Sequence, residues 1–170
     1  EAPIAPPREP VRALPEDREA AARTDGAARP PSLATVARSS SAVIRTAVDA
    51  AVGAMGTPYR WGGTDQNGFD CSGLIQYAYR EAGVLLPRTS GEQAAAGRSV
   101  GIDGTRLVPG DVLVFSRSPG GAVSHVGLYV GDGRFIHSAS KGTRISRLSP
   151  DDPDGRWWFE RWRDSRRMVD

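Results

Sequence analysis

One cysteine and two histidines are the residues of this chain that could do chemistry together. Cys71 lies in Phe69-Asp70-Cys71-Ser72-Gly73-Leu74, and His125 and His137 each lie in a strand-like run. A single thiol rules out an internal disulfide. A thiolate attacks carbonyl carbon well, and an imidazole can take the thiol proton and return it to a departing amine. A second imidazole can orient the first. Cys71, His125 and His137 are thus the minimum parts of an acyl-transfer site. A Cys-His-His zinc site with one open position is a second reading of the same residues. Spacing argues against it, because zinc sites generally bring a close ligand pair such as Cys-x-x-Cys and none is present. Neither metal nor cofactor is expected. The plain alternative is structural: a free cysteine is usually a buried small apolar residue, and a lone histidine is often a satisfied core or surface group.

The elements around these residues must bring them together. Val43, Ile44, Ala47, Val48, Ala51, Val52 and Met55 recur at helical spacing, and Gly56 and Pro58 end that helix. Tyr59-Arg60-Trp61-Gly62-Gly63 reads as a loop, and Asn67-Gly68 as a turn. The pattern predicts a second helix over 71–82, capped by Asp70 and closed by Gly83, with Leu74, Ile75, Ala78 and Tyr79 inward. Cys71 then sits at a helix N-terminus, where unpaired amides and the helix dipole should lower the thiol pKa. Thr89 with Glu92 and Ser90 with Gln93 form two overlapping capping-box patterns, which predict a short helix ending at Gly97. Strands are expected over 112–115, 123–130 and 134–138, with Gly131-Asp132-Gly133 as a tight hairpin, and a last strand over 157–163. Alternation puts His125 on one face with Gly127 and Tyr129, and His137 on one face with Phe135. The hairpin makes these neighbouring antiparallel strands, so the imidazoles can meet. Helices first and antiparallel strands after imply an α+β domain.

Residues 1–40 differ from the rest. They hold seven of the thirteen prolines and no aromatic residue. Such a segment cannot bury enough apolar surface to offset its ordering entropy. It is expected to be a disordered Pro/Ala/Arg-rich linker with at most a short helix over 16–22, and 41–170 to be the folded domain. The chain opens at Glu1 without a Met, which implies a trimmed N-terminus; no signal peptide is visible. No apolar run approaches the roughly 20 residues of a membrane span. The net charge of +2 makes no case for a nucleic-acid partner. Trp61, Trp157, Trp158 and Trp162 are expected in core and rim packing. Arg88 is expected to tie loops together rather than meet a substrate carboxylate. The basic strip from Arg156 to Arg167 is expected to be a solvated face.

Six segments appear in an order that is similar to a known family. They are Tyr59-Arg60-Trp61-Gly62-Gly63, Phe69-Asp70-Cys71-Ser72-Gly73-Leu74, Leu86-Pro87-Arg88-Thr89-Ser90, Pro109-Gly110-Asp111, His125-Val126-Gly127-Leu128-Tyr129-Val130-Gly131 and Phe135-Ile136-His137. From about residue 42 onward the chain resembles the NlpC-type cell-wall peptidases, which are papain-like cysteine peptidases. The resemblance implies a papain-like α+β fold, with N-terminal helices on an antiparallel sheet of five to six strands. It implies hydrolysis of peptidoglycan stem peptides, commonly between D-γ-glutamyl and a diamino acid. It assigns Cys71 as nucleophile, His125 as general base and acid, and His137 as its orienting partner. Tyr59 is matched to an oxyanion-side tyrosine, and Asp70 and Ser72 to the substrate groove. A monomer acting outside the cytoplasm is expected, tethered by its linker to a membrane anchor or a further module. A catalytically silent wall- or partner-binding domain and a related amidase or acyltransferase are the alternatives.

Overall fold

The computed structural model describes the backbone of residues 33–170 and the side chains of residues 40–170. Of the linker expected over 1–40, residues 1–32, with the short helix over 16–22, lie outside the described residues, while 33–40 are helical rather than linker. Helix α1 runs Leu33–Gly53, so the first helix starts well before the Ser41 expected from the apolar stripe. Its added N-terminal turns carry the polar run Arg38-Ser39-Ser40-Ser41, which has no apolar period to announce them.

A small hairpin of β1 (Thr64–Asp65) and β2 (Gly68–Phe69) turns at the expected Asn67-Gly68. Helix α2 spans Cys71–Glu81 with Asp70 as its N-cap and Ala82 as its C-cap, and Gly83 takes the positive φ of 81° that ends the helix. Helix α3 covers Ser90–Gln93 and is shorter than expected. Of its two capping-box patterns only Thr89–Glu92 forms. Gln93 instead turns inward, fully buried, and donates to the Ser72 and Pro87 carbonyls at 3.0 and 2.8 Å.

The main sheet contains β3 (Arg98–Ser99), β4 (Val112–Ser116), β5 (Val123–Gly131), β6 (Arg134–Ala139), β7 (Gly142–Arg147) and β8 (Trp162–Arg167). A short 3-10 turn at Gly104–Arg106 precedes β4. The spatial order is β3-β8-β4-β5-β6-β7, antiparallel throughout. This is an α+β fold. The last strand was expected over 157–163, but residues Pro153–Phe159 form helix α4 and β8 begins at Trp162. The local chemistry favours the helix: Asp152 caps the Asp154 and Gly155 amides, and Pro153 occupies the first turn, where its missing N–H costs nothing. Strand β7 gave no strand signal, because Thr143 to Arg147 carries too few apolar residues to show a period.

Both faces of the sheet are covered, so β4 is buried along its whole length. On one face Val112, Val114, Val126, Leu128 and Ile136 pack on Ala47 and Ala51 of α1 and on Leu74, Ile75 and Ala78 of α2. On the other, Leu113, Phe115, Tyr129, Phe135, Leu148 and Trp162 form a second cluster, with Trp158 of α4 against it. The period-2 alternation of each strand sorts its side chains between these cores. The β5–β6 connection is a two-residue turn in which Asp132 (φ 52°) and Gly133 (φ 68°) both take positive φ, as a type I′ hairpin requires. Asp111, 1% exposed, is held by two hydrogen bonds from Arg167, each 2.8 Å, and this bidentate pair clamps the entry of β4 to β8.

Candidate active site

Cys71 is the first residue of α2, and its neighbours are held by the helix start itself. The Asp70 carboxylate accepts from the Gly73 amide at 2.6 Å, the capping bond that satisfies a free helix donor. The same carboxylate accepts from both ends of the Arg88 guanidinium, at 3.0 and 2.6 Å, and from the Gly62 amide at 3.2 Å. Arg88 also donates to Ser72 Oγ at 2.9 Å. Arg88 therefore ties its loop to the start of α2. Glycine is required at 73, because a Cβ there would collide with the Gly63 carbonyl that receives the Asp70 amide.

Burial opposes ionisation of Asp70, but the Arg88 hydrogen bonds and the Gly73 and Gly62 amides outweigh it and hold the carboxyl below its ordinary range. The thiol moves the other way. Burial is the largest influence on Cys71 and pushes its pKa up, with the Asp70 charge adding to it; the Val126, Ser72 and Cys71 amides oppose this without cancelling it. The lowered thiol pKa expected from the helix N-terminus is thus corrected. The dipole acts at the first turn, but the sulfur is mostly out of water and has an anion for a neighbour. Tyr59 keeps its hydroxyl proton, its pKa raised by burial and then by negative charge on Cys71 and Asp70.

The two histidines come from adjacent strands. A register shift between Phe115 and Ser116 lies opposite His125, and such bulges re-aim nearby side chains. Gly127 leaves room for the rings between β5 and β6: a Cβ there would lie 2.7 Å from the Phe135 ring and 3.3 Å from the His137 Cβ. His125 Nε2 and His137 Nδ1 are 2.8 Å apart. His137 Nε2 is in turn 2.8 Å from Ser146 Oγ on β7. Trp158 closes over the pair, its ring 5.1 Å from that of His125 and 4.7 Å from that of His137. Phe115 and Phe135 complete the aromatic surround. Burial pushes the His125 pKa down to about 4. Burial, then His125, then Arg144 push His137 down to about 2. Both rings are neutral at pH 7.

Cys71 lies near the Val126 amide, next in the chain to His125, and the imidazole pair and Ser146 follow one another across β5, β6 and β7. The ring nitrogens that face each other are engaged with one another. Among the described residues no group of three His, Cys, Asp or Glu side chains is arranged to hold a metal ion.

Ser146 and the shielding role of Trp158 were not foreseen from sequence. Ser146 lies in a polar edge strand with no motif around it, and Trp158 lies in the helix read as a strand. The other tryptophans divide. Trp162 is core, Trp157 is half-exposed and packs edge-on to Trp158 with the Arg161 guanidinium over its ring, as expected of a rim residue, but Trp61 is 89% exposed and is not packed as expected. Trp61 is carried outward because the amides after it are committed to Asp70 and to the Arg60 carbonyl.

The chain is similar to known proteins. The NlpC/P60 family pattern matches residues 56–167. The chain is 44% identical over 96 residues to the gamma-D-glutamyl-L-lysine dipeptidyl-peptidase of Bacillus subtilis, covering 56% of this chain and 32% of that protein. It is 38% identical over 119 residues to the murein DD-endopeptidase MepH of Escherichia coli, covering 68% and 42%. Among solved structures, an NlpC/P60 family protein from Bacillus cereus superposes with a TM-score of 0.66 at 35% identity, covering 75% of this chain and 40% of that one. The chain spans less than half the length of each of these relatives. With the pattern matched over most of its folded part, the chain belongs to the NlpC/P60 family.

Proposed function

We propose that this protein is a cysteine endopeptidase of the cell wall, acting outside the cytoplasm on peptidoglycan stem peptides at the D-γ-glutamyl–diamino acid bond. One observation carries the reading: the unbroken hydrogen-bond chain from His125 through His137 to Ser146, together with a cysteine that starts a helix and lies near the Val126 amide. The name of the Bacillus subtilis relative, a gamma-D-glutamyl-L-lysine dipeptidyl-peptidase, supports the choice of bond, and that of the Escherichia coli relative, a murein DD-endopeptidase, supports cell-wall hydrolysis more broadly.

The proton positions follow from the role given to His125. His125 Nε2 faces His137, so Nδ1 is the nitrogen left to take the Cys71 proton. For Nδ1 to accept, neutral His125 carries its hydrogen on Nε2 and donates it to His137 Nδ1. His137 must then carry its hydrogen on Nε2 and donate to Ser146 Oγ. In that arrangement Ser146 Oγ accepts from His137 Nε2 and ends the chain, leaving His125 Nδ1 with the lone pair that a base must point at the nucleophile. With the thiol pKa raised and both imidazoles lowered, the resting pair is neutral. Proton transfer accompanies attack. Cys71 Sγ bonds to the carbonyl carbon as its proton passes to His125 Nδ1. That proton then goes to the leaving amine as the C–N bond breaks, leaving a thioester that water hydrolyses. The Cys71 amide and the Tyr59 hydroxyl are the donors for the oxyanion. Asp70 and Ser72, pinned by Arg88, line the acyl side of the cleft.

A defined stem tetrapeptide incubated with wild type and with Cys71→Ala tests the reading. New amine at the γ-glutamyl bond from wild type alone supports it. No new amine, or equal release by the variant, rejects it.

A further inference from the structure

A groove of about 770 Å³ opens beyond the histidine pair, over β7 and the start of α4. Its wall includes Ser146 and Trp158, the two residues that touch His137. Four cations line it, Arg134, Lys141, Arg144 and Arg147, against two carboxylates, Asp152 and Asp154. These charges leave one another largely unpaired. Arg147 comes no closer than 3.7 Å to Asp152, and Arg134 pairs at 3.4 Å with Asp132, which is not part of the groove. Among the described residues Lys141 and Arg144 take part in no ion pair. Arg144 Nε is buried without a hydrogen-bond partner. A buried guanidinium N–H is a strong donor that native proteins rarely leave unmatched, and its preferred partner is a planar carboxylate.

We propose that this groove is the carboxylate-binding subsite for the half of the stem peptide that leaves. The inference rests on the peptidase reading above for its direction. A general acid must touch the departing nitrogen, so the leaving fragment lies on the imidazole side of Cys71, away from Asp70 and Arg88. The groove opens behind His137 on that side, where Ser146 and Trp158 form part of its wall. The leaving fragment carries at least the C-terminal carboxylate of the stem, and a second carboxylate when its diamino acid bears one on the side chain. Arg144 and Arg147 are placed to take a carboxylate each, with Lys141 at the exposed end and the Trp158 ring against the aliphatic part.

Two arms test this separately from cleavage. In the first, wild type cuts paired substrates whose diamino acid side-chain carboxylate is free or amidated. The free acid is expected to have about tenfold lower KM, and Arg144→Gln and Lys141→Glu are expected to erase the difference while thermal unfolding shows them folded. In the second, calorimetry measures binding of the diamino acid–D-alanine dipeptide to Cys71→Ala, with the amidated dipeptide and inorganic phosphate as competitors. Saturable binding that amidation weakens tenfold supports the subsite. Cleavage with no carboxylate preference overturns it and leaves the peptidase reading standing. Dipeptide binding with no cleavage of either substrate overturns the peptidase reading and keeps the groove as a carboxylate site. Phosphate binding without dipeptide binding overturns the proposal.

Discussion

The two flanks of Cys71 are built from opposite materials. On the Asp70 side, ionised groups are matched to one another near the surface: a carboxylate, a guanidinium and two backbone amides, each within 3.2 Å of the carboxylate. On the histidine side, the polar groups are kept neutral by burial among Phe115, Phe135 and Trp158. Formal charge holds the first flank in place. Directed single hydrogen bonds hold the second. On the proposed peptidase reading the difference suits their tasks, since a scaffold benefits from permanent charge, whereas a base must be able to gain and lose a proton without a large change in its surroundings.

The largest expected effect comes from breaking the neutral flank. His125→Ala should lower the rate of amine release at least about a thousandfold while leaving the thermal unfolding temperature near that of wild type at pH 8, because single losses within such a unit are severe. A variant within tenfold of wild type would show that another group takes the thiol proton.

The flanks also separate on acidification. The folded-state pKa of His125 lies below its unfolded value, so protonation favours the unfolded chain. Its contribution is intact above pH 6.5 and is lost as pH falls from 6.5 toward about 4. The loss amounts to about 3 kcal/mol if burial persists over that range. Asp70 is also lowered, but from 3.8, so the stability it adds is present above that value and is lost only below it. Chemical denaturation at pH 7, 5.5 and 4.5 should show a decline that His125→Ala reduces and Arg88→Gln does not. If Arg88→Gln abolishes that decline instead, the assignment of windows is wrong.

On the charged flank, Arg88→Gln leaves the part-buried Asp70 carboxylate without its bidentate partner. It should cost about 1–2 kcal/mol of stability by urea unfolding. Labelling of Cys71 by iodoacetamide is expected to be slow at pH 6 and to climb steadily above pH 8, since burial raises the thiol pKa. Fast labelling at pH 6 would mean a resting thiolate and a charged imidazole, contrary to the neutral pair. The smallest effect is expected at Ser146. Ser146→Ala should lower kcat about tenfold with little change in KM, by removing the hydroxyl that holds the His137 ring in place, and Ser146→Thr should restore it. An unchanged kcat in Ser146→Ala would show that other contacts hold the ring.

Much of this domain follows from local pattern. Asp70 as a cap, Gly83 as a stop and the apolar stripe of α2 are signals whose physics is complete within one or two turns. The Gly131–Gly133 turn is likewise local, and it alone makes β5 and β6 neighbours. Where competing local signals coincided, the pattern misled. Trp157, Trp158 and Phe159 read as a strand by residue type, yet Asp152 and Pro153 just before them start a helix. Gln93 fitted a capping box, yet the interior offered it two carbonyls of α2 and its preceding loop.

The chain's order of residues by itself determined which groups are chemically able to act: one thiol, two imidazoles, and a helix start at the thiol. Their ionisation was decided by tertiary structure. Whether burial or the helix dipole governs the Cys71 proton depends on how much water reaches the sulfur, which no local pattern encodes. The Ser146 contact and the Trp158 cover arise the same way, from an edge strand and a helix that meet the histidines only after the sheet has formed. Hydrogen bonds between distant segments and desolvation are properties of the assembled fold, and those are the forces that pair the two imidazoles and hold the Cys71 proton.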